Sequence, residues 1–287
     1  MEVLSRDSWR ARAEAHAARV DALVAPHLAR RSGQVKHPVH DFLFTYYSQR
    51  PAQLRRWHPG FGVLLEDAPE HAGLKGYDGD PVGVTEAHVA SQQRLLRQVH
   101  GLLSATAARA PQLSCFGLHE WAMVHRSVEH GTRHDWPLRL GPAGTDEVVE
   151  QHRIGCTHFD AFRFFTPTAR LLNTLQPGRD DRTAFEQPGC LHAGMDLYKH
   201  AFRLSPMVPS ELVADCFELA REIRVLDMRA SPYDLAGLGF DPVAIETTAG
   251  KAAYVEAQRG FAERGAPLRA RLVAECERLL AVVGSPA

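Results

Sequence analysis

The chain has 287 residues, 45% apolar content, and 33 basic against 34 acidic residues, for a formal net charge of −1. That length suits one large domain or two small ones, and the apolar content supplies a sizeable core without disulfide staples. The balanced charge argues against a dedicated duplex-DNA binder, which carries a strongly basic face.

Taken in chain order, residues 7–31 read as an amphipathic helix capped by Asp7, with Trp9, Ala13, Val20, Leu23 and Leu28 on its apolar stripe. "HPVHDFLFTYYSQ" follows, with Pro38 placed for a first helical turn, and residues 51–58 form a short helix opened by proline. Residues 58–83, rich in glycine, proline and aspartate, read as a long loop or irregular hairpin. Thr85 caps a long helix running to about Ala108, with Val89, Leu95, Leu96, Val99 and Leu103 inward. The middle third ("QLSCFGLHEWAMVH", "WPLRLG", "CTHFDAFRFFTP") is rich in aromatic and β-branched residues and suggests short strands, interrupted by a helical "GTDEVVEQH". Helices then recur near 180–186, 190–204, 210–229, 248–264 and 267–282. The expected fold is mainly α, a single helical domain over residues 1–287 with a small β element in the middle third.

Five cysteines are scattered, without a C-x-x-C pair, which fits a reduced chain and a cytoplasmic location. The N-terminus is charged throughout, without the apolar core of a signal peptide, and no apolar run approaches the roughly 20 residues of a membrane span. Histidine is abundant, with 16 in the chain. Six of these (His119, His125, His130, His134, His152 and His158) fall within 40 residues, and histidine is both the commonest metal ligand and the side chain that titrates near neutrality.

"HEWAMVH" resembles a zinc-protease H-E-x-x-H with its second histidine two places late. Six residues correspond to about 240° around a helix, or about 20 Å along a strand, so His119 and His125 do not share an ion on either element. His119 remains as one ligand, with Glu120 beside it as ligand or base. On a strand, His158 and Asp160 of "HFD" share a face roughly 6–7 Å apart. That pair suits two ligands of one ion or an aspartate orienting a histidine; Arg163 offers Asp160 a salt bridge instead. "CLHAGMDLYKHA" places His192 and Asp196 one helical turn apart, the spacing of a helical metal centre, with Lys199 one turn further on. This run is similar to the H-x-x-x-D-x-x-H helix of the haem-oxygenase-like di-iron oxidases, with Lys199 in place of the second histidine and no matching E-x6-H helix. "HPVHD" sets His37 and His40 one turn apart, and "DCFELARE" sets Asp215, Glu218 and Glu222 on one side of a helix among interleaved arginines, the pattern of a solvated face. The sequence contains no G-x-G-x-x-G, Walker loop or G-x-S-x-G elbow.

The segments "HPVHDFLFTYYS", "LRRWHPG", "CFGLHEWAMVHR", "WPLRLGPAGTD", "HFDAFRFFTP", "QPGCLHAGMDLYK" and "PSELVADCFELAREIRVLDMRASPYDL" are similar to a bacterial family known as 3-methyladenine DNA glycosylases. The resemblance covers most of the chain. It implies excision of alkylated bases without a metal, with Asp160 or Glu120 activating water and Trp57, Trp121 and Tyr46 stacking on an extruded base. The residues themselves favour a metal-dependent enzyme. His119, His158, His192 and Asp196 would hold a divalent ion, with iron first and manganese or zinc as alternatives. Glu120 and Asp160 would act in catalysis on a small polar substrate, oxidatively or hydrolytically. Trp121, Arg163, Lys199 and Tyr46 would contact that substrate, and Arg163 and Lys199 would hold an anionic group on it. A histidine-lined binding protein without chemistry is the third reading, and no membrane partner is expected.

Overall fold

Among the 132 residues before Arg133 and those from 134 to 284, which a computed structural model describes, helix predominates and the strands form a single small sheet. The backbone divides into two compact units. The first comprises Met1–Ser104, Asp196–Ala220 and the chain from Pro267 onward; the second comprises Ala105–Met195 and Arg221–Ala266.

In the first unit, β1 (Glu2–Leu4) leads directly into α1 (Arg6–Ser32), followed by α2 (Phe42–Tyr46), α3 (Pro51–Arg55), β2 (Val63–Leu65), α4 (Pro69–Ala72), β3 (Tyr77–Asp78), β4 (Val82–Val84), α5 (Glu86–Ser91) and α6 (Gln93–Ala107). The sheet order is β1-β2-β4-β3, with β1 parallel to β2 and the other pairs antiparallel. The cap of α1 is Ser5, whose side chain accepts from Ser8 N, and Asp7 sits in the first turn where a carboxylate favours the helix N-terminus. The buried face of α1 carries Trp9, His16, Val20, Val24 and His27, whereas Leu28 is exposed. The stripe is therefore more polar than apolar periodicity alone suggests, because two of its members are histidines with partners: His16 Nε2 bonds Leu54 O at 2.9 Å and His27 Nδ1 bonds Asp41 at 2.8 Å. Thr85 caps α5 as expected, and Gln92 separates α5 from α6, on which Leu96, Val99 and Leu103 are buried.

In the second unit come α7 (Leu118–Ala122), α8 (Ser127–His130), α9 (Gly141–Gln151), α10 (Phe159–Phe162), α11 (Pro167–Arg170) and α12 (Arg182–Phe185). Three long helices then carry the chain through both units: α13 (Leu191–Arg203), α14 (Ser210–Arg229) and α15 (Thr248–Gly284).

The strands come from residues 2–4, 63–65, 77–78 and 82–84, and the middle-third segments expected as strands are short helical turns and loops. Only two isolated bridges occur there among the described residues, Leu138 with Tyr233 and Ile154 with Asn173. The aromatic and β-branched residues of the middle third earn their burial in packed turns rather than in a ladder. Trp121 and Ile154 are fully buried, and the indole N–H of Trp121 donates to Ala230 O at 2.8 Å.

Candidate metal centre

The centre lies wholly within the second unit. "CFGLHE" forms a tight left-handed turn, with φ +50° at Phe116 and +74° at Gly117. At Gly117 a side chain would press to 3.2 Å from Ala230 Cβ and 3.3 Å from the Tyr254 ring, so glycine permits both the conformation and the approach. The turn launches α7, and Cys115 and His119 stand four positions apart in the chain. His119 is 3% exposed and His192, near the start of α13, is 6% exposed. Their rings meet edge to face, 4.6 Å between centroids.

The third member is Asp227, near the end of α14 and 0% exposed. One ligand atom from each of His119, His192 and Asp227 lies within 4.8 Å of the other two. His119 Nε2 is 2.8 Å from Asp227 Oδ1. Two ligand atoms at about 2.1 Å from one ion are roughly 3 Å apart when they occupy adjacent positions, so this spacing already approaches a coordination edge. The other Asp227 oxygen accepts from Arg224 Nη1 at 2.6 Å, and the same nitrogen donates to Glu120 Oε1 at 3.0 Å. Four buried ionisable groups thus form one network. Burial disfavours charge on each of His119, Asp227 and Arg224, but their mutual attraction outweighs it. The His119 pKa is raised well above its usual value by Asp227 and Cys115. The Asp227 carboxyl is held well below the carboxylate range by His119 and Arg224, and Arg224 is raised by Glu120 and Asp227. With His119 protonated, two cations balance two carboxylates. His119 Nδ1 lies 3.6 Å from Cys115 Sγ.

Beside the trio is a small cavity of about 10 Å³, lined in part by Cys115, Cys156, Cys190, Tyr254 and Gln258. A cavity of that size holds about one water molecule. Burial pushes the Cys156 and Cys190 thiols and the Tyr254 hydroxyl up, so all three stay protonated near neutrality.

The expected ligands separate in space. His119 and His192 come together. His158 is adjacent, its ring centroid 5.3 Å from that of His192, but its Nε2 faces Glu186 Oε1 at 3.5 Å, and it stands outside the group that shares one ligand position. Asp196 belongs to the first unit, where it accepts from Tyr47 Oη at 2.8 Å and pairs with Lys199 Nζ at 3.0 Å. "HFD" is not a strand: His158 precedes α10 and Asp160 sits in its first turn, paired with Arg163 at 3.3 Å and Arg182 at 3.9 Å. Glu120 is buried against Arg224, and the Trp121 ring is enclosed under the Arg139 guanidinium. Tyr46, in the first unit, stacks on Phe42. His125 is buried on Thr168 and Glu150 and serves packing.

Asp227 is the member that sequence patterning passed over. A signal exists: Leu219, Ile223 and Asp227 follow one another at four-residue steps along α14, so a carboxylate continues the apolar row. Charged residues on a buried row require partners, and Arg224 supplies one from the preceding turn.

Among the described residues, no helix is long and apolar enough to cross a membrane. In comparisons with protein-family models, curated proteins and solved structures, nothing matches the chain.

Proposed function

We propose that the chain is a metal-dependent enzyme whose single-ion centre is formed by His119, His192 and Asp227, acting oxidatively or hydrolytically on a small polar molecule. The observation that carries this reading is the convergence of two imidazoles and one carboxylate, all buried, within 4.8 Å of one another. Two histidines and one carboxylate without a coordinating thiolate favour iron, with manganese or zinc as alternatives, and leave positions open for water and substrate. Arg224 and the Cys115 sulfur are the outer partners that would orient Asp227 and His119. The reading is favoured over base excision because two of the aromatic rings that excision would use are enclosed: Trp57 and Trp121 are 3% and 0% exposed. Their indole N–H groups are committed to Glu211 and Ala230.

Elemental analysis of protein purified from metal-supplemented cells tests the proposal, alongside His192→Ala and Asp227→Asn. Wild-type protein is expected to retain about one ion per chain and each variant less than about a tenth of that. Wild-type protein that stays metal-free and takes up none of Fe(II), Mn(II) or Zn(II) on titration would end it.

The 3.6 Å approach of Cys115 to His119 favours a second reading: a metal-independent thiol nucleophile aligned by the His119–Asp227 pair. Iodoacetamide alkylation of Cys115 separates the two readings. A marked fall in rate for His119→Gln, in protein shown to be metal-free, supports the thiol; equal rates remove it.

A further inference from the structure

A cavity of about 310 Å³ lies wholly within the first unit, beside α3, α5 and the turn that follows α13. Its volume is at the small end of the range of about 300–1,000 Å³ typical of small-molecule sites. Three consecutive residues, Lys75, Gly76 and Tyr77, each place one group of it. Tyr77 fixes His58. Its hydroxyl, kept protonated by burial, has no other acceptor among the described residues and donates to His58 Nδ1 at 2.9 Å. The ring proton of the neutral imidazole therefore stands on Nε2. The His58 backbone is held as well: its N–H donates to Ser210 Oγ at 2.8 Å and its carbonyl accepts from Ser210 N at 2.9 Å. The Nε2–H has no partner among the described residues, yet it is not sealed in protein and opens on the cavity.

Gly76 seats the second imidazole. Its φ is +92°, and a Cβ there would fall 2.6 Å from the His88 ring, so glycine alone lets that ring lie against the chain. Lys75 and Arg56, the latter just past α3, complete the polar side, and no carboxylate lines the cavity. Neither cation is in an ion pair among the described residues. After burial, the charges that lower His58 are those of His71, Arg56 and His16, and the charge that lowers His88 is Lys75; no acid raises either. Two fixed imidazoles and two cations thus share a concave space without a counter-charge, and such a field draws an anion. Leu74, Phe202 and Pro206 supply an apolar wall beside them.

We propose that this cavity binds a small phosphomonoester, whose phosphate accepts from His58 Nε2 and faces Lys75 and Arg56 while its organic group lies on the apolar wall. A dianion matches the two full positive charges, and a tetrahedral phosphate offers separate oxygens to the imidazole, the ammonium and the forked guanidinium. This site is independent of the metal centre and stands whether or not that centre holds an ion.

Titration of the full chain at low salt tests the proposal, read by calorimetry and by nitrogen–proton correlation spectra of the histidine side chains. The probes are phenyl phosphate, inorganic phosphate, methyl phenyl phosphate and benzoate. Phenyl phosphate is expected to bind, with inorganic phosphate competing for the same site more weakly because it lacks the ring. Methyl phenyl phosphate keeps the ring but is a monoanionic diester, and benzoate is a monoanionic carboxylate. Each should bind at least about tenfold more weakly than phenyl phosphate, because each gives up a charged acceptor. In the spectra the free chain should show the Nε2–H form of His58, and phenyl phosphate should shift the His58 and His88 signals. Lys75→Ala and Arg56→Ala should each weaken binding about threefold. Neither should lower the melting temperature of the free protein, since no ion pair is lost. No binding of either phosphate below about 10 mM overturns the site. Binding that leaves the His58 and His88 signals unmoved puts the phosphate elsewhere and overturns it too. Equal or tighter binding of the diester or of benzoate overturns the assignment to a phosphomonoester, and that comparison needs no variant.

Discussion

At the scale of single residues, Asp227 is the point on which the second unit's buried charges balance. It receives His119 on one oxygen and Arg224 on the other, and Arg224 in turn holds Glu120. Removing one member leaves the rest uncompensated in a dry interior, which costs about 3–5 kcal/mol, whereas a partly exposed pair contributes at most about 1 kcal/mol. Asp227→Asn should therefore lower the urea-unfolding free energy of metal-free protein by about 3–5 kcal/mol. Asp215→Asn, which loses pairs with Arg19 and Arg271 at 30% side-chain exposure, should cost less than about 1 kcal/mol. Equal costs for the two would contradict the network. His119 and His192 were legible in the sequence as candidate ligands because histidine is rare on apolar faces without a reason. Asp227 was less legible because α14 carries Asp215, Glu218 and Glu222 as more conspicuous acids, and only the buried row distinguishes the one that matters.

At the scale of elements, α1, α13 and α14 followed from periodicity and caps, whereas the short helical turns of the middle third were expected as strands and α15 runs unbroken where two helices were expected. The start of α15 adds a constraint that periodicity does not report. A Cβ on Gly250 would fall 1.9 Å from Ala244 O and 2.3 Å from its carbonyl carbon, both backbone atoms that cannot rotate away. Gly250 N also donates to the Thr247 hydroxyl at 3.0 Å, tying the first turn of the helix to the preceding loop. Alanine is ordinarily the better helix former, by about 1 kcal/mol. Here Gly250→Ala should instead destabilise the chain by about 1–3 kcal/mol or more, as overpacking does. A thermal melt that rises on this substitution would disprove the close approach. The sheet escaped patterning for a related reason. Its strands are two or three residues long, too short to establish alternation, and β4 is buried along its whole length. Gly83 lies where any side chain would overlap Leu64, so its role there is contact and not a turn.

At the scale of the whole molecule, the abundance of histidine shapes the response to acid. Burial, and then the neighbouring His71, Arg56 and His16, push the His58 pKa down to about 3 from 6.5. Burial also lowers His16 and His71. The Tyr77 hydroxyl, which burial keeps protonated, donates to the neutral His58 ring at 2.9 Å. As the pH falls below 6.5, the unfolded chain takes up protons at these sites before the folded chain does. Stability contributed by their neutrality is therefore present above pH 6.5 and is lost as the pH falls, by about 1.4 kcal/mol per pH unit for each group that differs. Urea midpoints should drop between pH 7 and pH 4.5 in the wild-type chain. His58→Gln should show a shallower drop, and a wild-type midpoint that is flat over this range would refute the argument.

By itself, the sequence determined the helical class, the boundaries of most long helices, and a short roster of histidines and acids suited to metal chemistry. These properties are local: a cap, a 3.6-residue period and a side-chain type act over one or two turns. The tertiary structure decided which of those groups meet. His192 and Asp196 are one turn apart on α13, yet His192 joins His119 and Asp227 while Asp196 is held by Tyr47 and Lys199. His119 and Asp227 are 108 residues apart and 2.8 Å from each other. The stretch "CFGLHEWAMVHR" thus contributes one ligand, His119, whose partners come from two other helices. Spacing along the chain excluded His125 from a shared ion, and only the packing of α7, α13 and α14 brought in Asp227, because contacts between distant segments are set by how buried faces fit together and not by any pattern within one of them.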